Sequence, residues 1–431
     1  MRFFLALVIG KILTLISVFS GRGTNIVGVA AIKICPDFLS RIKLNAVFIA
    51  VSGTNGKTTT ANLMTHTLKN AGHKVVSNDK GSNMASGVAT ALIKSCSAKG
   101  RINAGYVVME VDERSIQYIF PQMSPDIMLV TNLFRDSIYR NGHSQFIFSK
   151  MQMALNPKIK MFLNANDPIS NALGFDNKIF FGVEKTGIST QTSRNLTNDL
   201  LICPDCFRTL GYKFYHYHHI GEYGCECGFG MPKADYAATD VDLEKSVFKI
   251  DGMELKIPNK NLFNVFNYAG AAAVLRYIGL DKNMIKEGFS SFNKLQGRFE
   301  QSGKTTLMVC KNQNPVSASQ GLSFINRDGS KKAVYLMITD PRGADVESED
   351  ISWLYDVDFW LLKDDSVEKI ILTGARTADL GLVLTLQGIE KEKIITANEN
   401  LSGYAKDIEK VYIMSSLYSI PKARKLKSEI V

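Results

Sequence analysis

Apolar residues in this chain fall into short unbroken runs, with helically spaced stretches between them. Ala46–Ser52 (AVFIAVS), Gly105–Val111 (GYVVMEV) and Ile127–Val130 are rich in Val and Ile and close on polar residues. Such runs read as strands buried on both faces, the pattern of a parallel sheet. A short strand is expected around Lys74–Val76, and Phe162-Leu163 runs into the polar loop Asn164-Ala165-Asn166-Asp167-Pro168. Helical spacing appears over Thr58–Ala71, over Gly87–Ile93 and in the small-residue stretch Ala269–Leu275. Strands recur at Thr306–Val309, Val334–Ile338, Lys369–Leu372 and Val411–Met414. The alternation predicts an α/β protein with an N-terminal helical segment over 1–45, a nucleotide-binding domain over 46–300 and a smaller α/β domain over 301–431. No internal repeat is present.

Phe3–Phe19 (FFLALVIGKILTLISVF) follows Arg2 and has the look of a signal peptide or short anchor. Lys11 interrupts it, and it is barely long enough to span a bilayer. A core or surface-bound helix is the expectation. The motif that follows supports it, because ATP chemistry belongs in the cytoplasm.

That motif is Gly53-Thr54-Asn55-Gly56-Lys57-Thr58-Thr59, set between the first strand and the first long helix. Backbone N–H groups of such a turn, backed by a helix N-terminus, cradle phosphates. Lys57 is placed to reach the terminal phosphates and the Thr58 hydroxyl to sit on Mg²⁺. The glycine that the general phosphate-binding loop places five residues before Gly56 is missing, so this is a shorter variant. Carboxylates at the strand end Glu110-Val111-Asp112-Glu113 lie where a doubly wound sheet binds its ligand, and Glu110 is the candidate Mg²⁺ carboxylate. The 164–168 loop offers Asn and Asp suited to a nucleotide's polar edges.

Of seven cysteines, four form a pattern: Cys203-x-x-Cys206 and Cys225-x-Cys227. In an ATP-using cytosolic chain such pairs point to metal rather than disulfides. Two knuckles of thiolates can close a tetrahedral Zn²⁺ site, structural because four thiolates leave no open position. His216, His218 and His219 lie between the knuckles as alternative ligands. Residues 200–237 thus read as an inserted zinc ribbon with a hairpin at Phe214–Tyr217. Cys35, Cys96 and Cys310 sit in apolar settings and read as buried thiols.

The net charge of +10 reads first as a solvated surface, and a preference for anionic substrates or anionic membrane surfaces is the sharper alternative. No basic stripe with interleaved aromatics accompanies it, so nucleic acid is not indicated; a zinc-ribbon nucleic-acid binder remains only as the reading from a different class.

In order, GTNGKTTT, the Glu-ended strand, TNLFRD at 131–136, NANDP, NLFNVFN at 261–267 and GRFE at 297–300 resemble the ATP-dependent Mur ligases and folylpolyglutamate synthetases. The inserted ribbon, EVDE at 110–113 and DISWLYDVDF at 350–359 are more similar to the MurT family, ligase-like subunits of lipid II isoglutaminyl synthase. Essentially the whole chain is covered. The resemblance implies a Mur-ligase-type ATPase domain followed by a Rossmann-like C-terminal domain. It also implies amidation of the α-carboxylate of D-glutamate in the lipid II stem peptide through an acyl phosphate. A separate glutaminase subunit, GatD, would supply ammonia; this chain has no convincing glutaminase constellation of its own. Asn267 would then serve the adenine side and Arg298 would touch nucleotide across the domain junction. Asp350, or alternatively Asp356, would complete the partner's Cys-His pair. Only a short stretch precedes the first strand, too short for a UDP-binding domain. The chain reads DSIYRNG at 136–142 where the family has DQLDRYG, and ADVESED at 344–350 where it has a tighter ADGRD loop. The alternative is another carboxylate–amine ligase of the superfamily, such as a folylpolyglutamate synthetase.

Overall fold

The computed structural model describes residues 1–20, 25–79, 82–137, 141–292, 299–339 and 350–430. The chain divides into two compact units, one of 1–134, 144–193 and 200–294, the other of 135–143, 194–199 and 295–431.

The first unit opens with two helices, α1 (Arg2–Ser20) and α2 (Ile26–Ile34), then β1 (Lys43–Ser52) and α3 (Lys57–Asn70). There follow β2 (Val75–Ser77), α4 (Ala85–Ser95), β3 (Arg101–Glu110), a single turn α5 (Ile116–Ile119), β4 (Ile127–Val130), α6 (Ser144–Ala154), β5 (Lys160–Asn164) and β6 (Lys178–Val183). A two-stranded hairpin, β7 (Gly211–Tyr217) and β8 (Ile220–Gly224), precedes β9 (Tyr236–Asp242), β10 (Val247–Ile250), β11 (Met253–Lys256), α7 (Leu262–Tyr277) and α8 (Lys282–Ser290). The large sheet runs β11-β10-β9-β6-β5-β4-β1-β3-β2; β2 through β9 pair in parallel and β9-β10-β11 form an antiparallel edge.

Its central strands are apolar because helices cover them. Ala50, Val107, Met109, Met128, Val130 and Leu163 join one buried cluster with α4 and the N-terminal helices. Phe3, Ala6 and Leu7 of α1 belong to that cluster, as do Val27 and Ala31 of α2, so both N-terminal helices are packed into this unit. No described helix is long and apolar enough to cross a membrane. Crossover strands with β1 at the centre bring the carboxyl ends of β1, β3 and β4 together, the position where such sheets bind ligands.

The second unit contains β12 (Phe299–Ser302), β13 (Thr305–Cys310), α9 (Pro315–Asn326), β14 (Lys332–Met337), β15 (Val367–Thr373), α10 (Thr377–Leu386), β16 (Ile394–Thr396), β17 (Lys410–Ser416) and α11 (Ile420–Glu429). Its sheet order is β12-β13-β17-β14-β15-β16, parallel except at the β12 edge. Val334, Leu336, Ile370 and Leu372 pack one face against α9 and α10, while Tyr335, Met337, Ile371 and Ile413 pack the other against α11.

Candidate functional site

The turn between β1 and α3 is built for a close approach of backbone. Gly53 (φ +120°) and Gly56 (φ +89°) both lie in the region that side chains avoid. A Cβ on Gly53 would stand 2.4 Å from Thr131 Oγ1, and one on Gly56 would stand 2.0 Å from Asn267 Oδ1. Any residue but glycine at either position would therefore push the turn off its supports.

Those supports come from the loop after β4. Thr54 N donates to the Asn132 carbonyl at 2.8 Å, and Asn55 N donates to Asn132 Oδ1 at 3.0 Å. Thr131 Oγ1 donates to the Asn55 carbonyl at 2.6 Å, and Phe134 N donates to Thr54 Oγ1 at 2.9 Å. Thr58 and Thr59 open α3 just behind Lys57, and Asn267, from α7, lies buried against Gly56.

Lys57 is 7% exposed. Its Nζ donates to the Gly53 carbonyl, to the Thr54 carbonyl at 3.2 Å and to Glu113 Oε1 at 2.9 Å. Burial pushes the Glu113 carboxyl up, and the Lys57 ammonium opposes that rise. The lysine–carboxylate pair is thus the buried electrostatic centre of the turn. Glu113 stands among the strand-end carboxylates of the sequence, but nothing in its spacing marks it as the partner of Lys57.

Glu110 ends β3 opposite Val51 of β1, so it shares the carboxyl edge with the glycine turn. It is partly exposed, and its Oε1 accepts from Asn83 Nδ2 at 2.9 Å. Asn78 clamps the Glu110 backbone on both sides, its Nδ2 donating to the carbonyl at 2.8 Å and its Oδ1 accepting from the N–H at 2.9 Å. Glu110 is therefore held at the rim by neutral partners, while Glu113 is held inside by the lysine.

The 164–168 loop is structural. Asn164, Asn166 and Asp167 are fully buried and their polar atoms go to the protein itself. Asn166 bonds Val183 as a strand neighbour would, accepting its N–H at 2.8 Å and donating to its carbonyl at 3.1 Å. Asp167 accepts the N–H of Leu133 at 2.8 Å and stands 3.3 Å from His219 Nε2. Side chains consumed this way are not available to a nucleotide's edges. They fasten the turn's supporting loop to the hairpin instead: Phe134 packs on His219 at 4.4 Å between ring centroids.

At the base of that hairpin, the sulfurs of Cys203, Cys206, Cys225 and Cys227 lie within 4.8 Å of one another. Cys203–Cys227 are 3.6 Å apart and Cys206–Cys225 3.4 Å. A tetrahedral Zn²⁺ with Zn–S of about 2.3 Å needs sulfurs about 3.8 Å apart, so the donor set fits. His216 bonds Ser189 Oγ at 3.0 Å and the Val183 carbonyl at 3.1 Å, and His219 faces Asp167. Neither belongs to the cysteine group.

In the second unit the acids of the 350–359 segment have separate surroundings. Asp350 Oδ1 accepts the Ser352 N–H at 2.9 Å and the residue is partly exposed. Asp356 Oδ2 pairs with Arg135 at 3.2 Å, and Arg135 also pairs with Asp199. Asp358 is fully buried and accepts Asn195 Nδ2 at 2.6 Å and the Leu196 N–H at 2.7 Å, anchoring 194–199.

Residues 51–202 match the Mur ligase middle domain, and residues 312–419 match the family described as MurT ligase C-terminal. The chain is 33% identical over 381 residues to the MurT subunit of lipid II isoglutaminyl synthase (glutamine-hydrolyzing) of Staphylococcus aureus, covering 87% of this chain and 85% of that one. The chain belongs to the MurT family. The corresponding subunit of Streptococcus pneumoniae is 31% identical over 94% of this chain and 92% of its own length. Among solved structures, a pseudomurein peptide ligase type C from Methanothermus fervidus superposes with a TM-score of 0.70 at 22% identity, covering 92% of this chain and 81% of that one. MurF from Acinetobacter baumannii superposes with a TM-score of 0.63 at 15% identity over 93% of this chain and 80% of its own. This likeness is one of fold.

Membership in this ligase family accounts for two α/β units in this order. Arg298 and the 344–349 part of the departing loop lie outside the described residues, as do Ile138, Tyr139 and Arg140. Asp136 is described: it pairs with Lys311 at 2.6 Å.

The cysteine cluster yields a first expected outcome. Purified protein should carry one Zn²⁺ per chain, and Cys206→Ser should lose it. Because metal binding is folding energy, chelation should lower the melting temperature and expose the hairpin to protease before it touches ATP affinity. Elemental analysis of active protein without stoichiometric zinc contradicts the assignment.

Proposed function

We propose that this chain is the ligase subunit of a glutamine-hydrolysing lipid II isoglutaminyl synthase. It converts the α-carboxylate of D-glutamate in the lipid II stem peptide to the amide of D-isoglutamine, at the cytoplasmic face of the membrane. The observation that carries the reading is the 33% identity, extending through both units, with a subunit so named.

Ammonia does not displace oxide from a carboxylate in water. ATP removes the obstacle: a carboxylate oxygen attacks the γ-phosphorus, ADP leaves, and the oxygen departs later with phosphate. Ammonia then attacks the acyl phosphate carbon, and the tetrahedral adduct expels phosphate and a proton to give the amide. Positioning and charge neutralisation are the protein's share. In this reading the Gly53–Thr58 backbone and Lys57 hold the phosphates. Thr58 and Glu110 would hold Mg²⁺, which neutralises phosphate charge, and Asn267 and Arg298 contact the nucleotide. MurF of Thermotoga maritima, of similar fold with a TM-score of 0.57, was solved in complex with ADP.

Ammonia comes from a GatD-type glutaminase subunit. Asp350 orients that subunit's catalytic histidine. It is favoured over Asp356 because Asp356 is already committed to Arg135, whereas Asp350 spends one oxygen on a backbone N–H.

The test is reconstitution. The chain and its glutaminase subunit, given ATP, glutamine and lipid II, should yield amidated lipid II by mass spectrometry. Turnover of a folate and glutamate in place of lipid II and glutamine would move the chain to the folylpolyglutamate synthetase class.

A further inference from the structure

The first helix is apolar on two sides but packed on only one. Phe3, Ala6 and Leu7 are buried against the first unit, and Gly10 lets the helix approach Ile93 of α4. Lys11, mid-helix, turns back to donate to the Cys96 carbonyl at 2.6 Å, so the helix is fastened flat to its unit. The opposite side exposes Phe4, Leu5, Val8, Ile12, Leu15 and Ile16, each more than half accessible. At 3.6 residues per turn these positions occupy about 120° of the circumference, one continuous stripe. Ile26 and Val29 of α2, which packs beside α1, are exposed as well. Single exposed apolar residues need no explanation; a stripe on adjoining helices marks an interaction surface.

Charge selects the occupant. Residues 1–36 contain Arg2, Lys11, Arg22 and Lys33 and no acid. Residues 85–105 add Lys94, Lys99 and Arg101, exposed at and just beyond the end of α4 where Gly100 packs on Phe3, and again no acid. A second copy of the chain docking on this face would set like charges opposite one another. An apolar stripe in a net-basic field, where Asp37 is ion-paired with Arg41, matches the interface of an anionic bilayer.

We infer that the exposed α1–α2 face is a membrane-docking surface, seating the first unit on anionic lipid with α1 parallel to the plane. It shares with the proposed function only the location, and its test reads lipid binding rather than catalysis.

Full-length protein should float with vesicles containing phosphatidylglycerol. Binding should weaken with added salt and with phosphatidylcholine as the sole lipid. Val8→Glu with Ile12→Glu should reduce binding about tenfold or more with an unchanged melting temperature. Lys94→Glu with Lys99→Glu, which leaves the stripe intact, should also weaken it. Absence of binding to phosphatidylglycerol vesicles overturns the inference, as does binding that both double variants leave unchanged. A dimer in solution that Val8→Glu dissociates would give the face to a second copy and overturn it too. Amidation of detergent-dispersed lipid II is unaffected by any of these results, so the two readings fail separately.

Discussion

Lys57→Ala should lower ATP-dependent amidation by about a hundredfold to a thousandfold, the loss of a charge aimed at the phosphates. It should also destabilise the fold. Sequence alone suggests a lysine in a solvent-lined loop, removable without structural cost. The structure buries it against Glu113, so its removal leaves a carboxylate inside without a cation. Glu113 is already pushed up by burial and would take a proton, at a cost of about 1–3 kcal/mol. Replacing both residues, Lys57→Met with Glu113→Gln, should recover most of the melting temperature and none of the activity. Recovery of activity in the double variant would mean that the lysine serves the fold and not the phosphates.

The second large effect separates two half-reactions. In the complex with its glutaminase, Asp350→Asn should cut glutamine hydrolysis by about a hundredfold or more, because the imidazolium loses the carboxylate that stabilises it and fixes its tautomer. Amidation driven by free ammonium should persist, since Lys57 and Glu110 lie in the other unit. Asp356→Asn should behave differently: it frees one side of Arg135, whose bond to Asp199 remains, and should cost stability more than glutaminase activity. Loss of glutamine hydrolysis in Asp356→Asn alone would transfer the role to that residue.

Features that a single stretch of chain decides were readable without coordinates. The glycine turn is one: an apolar strand, two glycines at the positions needing positive φ, and a helix start all fall within a few residues. The unbroken apolar runs of β1, β3 and β4 were equally plain, because covered parallel strands carry no polar face. Strands β9 to β11 escaped notice, since Tyr236–Asp242 and Met253–Lys256 mix charge into short segments at a sheet edge. The asparagines of NLFNVFN break the helical pattern of Ala269–Leu275 in the sequence, yet α7 runs from Leu262 through both, with Asn264 and Asn267 buried.

Long-range pairings were invisible for a different reason. Nothing local marks Glu113 as the partner of Lys57, or ties Arg135 to Asp199 and Asp356. The NANDP loop misled in the opposite direction. Asn and Asp after a strand are the right chemistry for a ligand, but here Asn166 completes the ladder with Val183 and Asp167 holds Leu133. Only burial distinguishes an amide that reads a nucleotide from one that substitutes for backbone.

Activation of a carboxylate by ATP before nitrogen arrives is the central step of the proposed reaction, and transfer of an oxygen atom tests it. Lipid II carrying heavy oxygen in the α-carboxylate of D-glutamate should be turned over by the complex with unlabelled ATP and glutamine. With both carboxylate oxygens labelled, released inorganic phosphate should acquire one labelled oxygen for each amide formed. Amide formation in which the departing labelled oxygen appears in water, with none in phosphate, would contradict it.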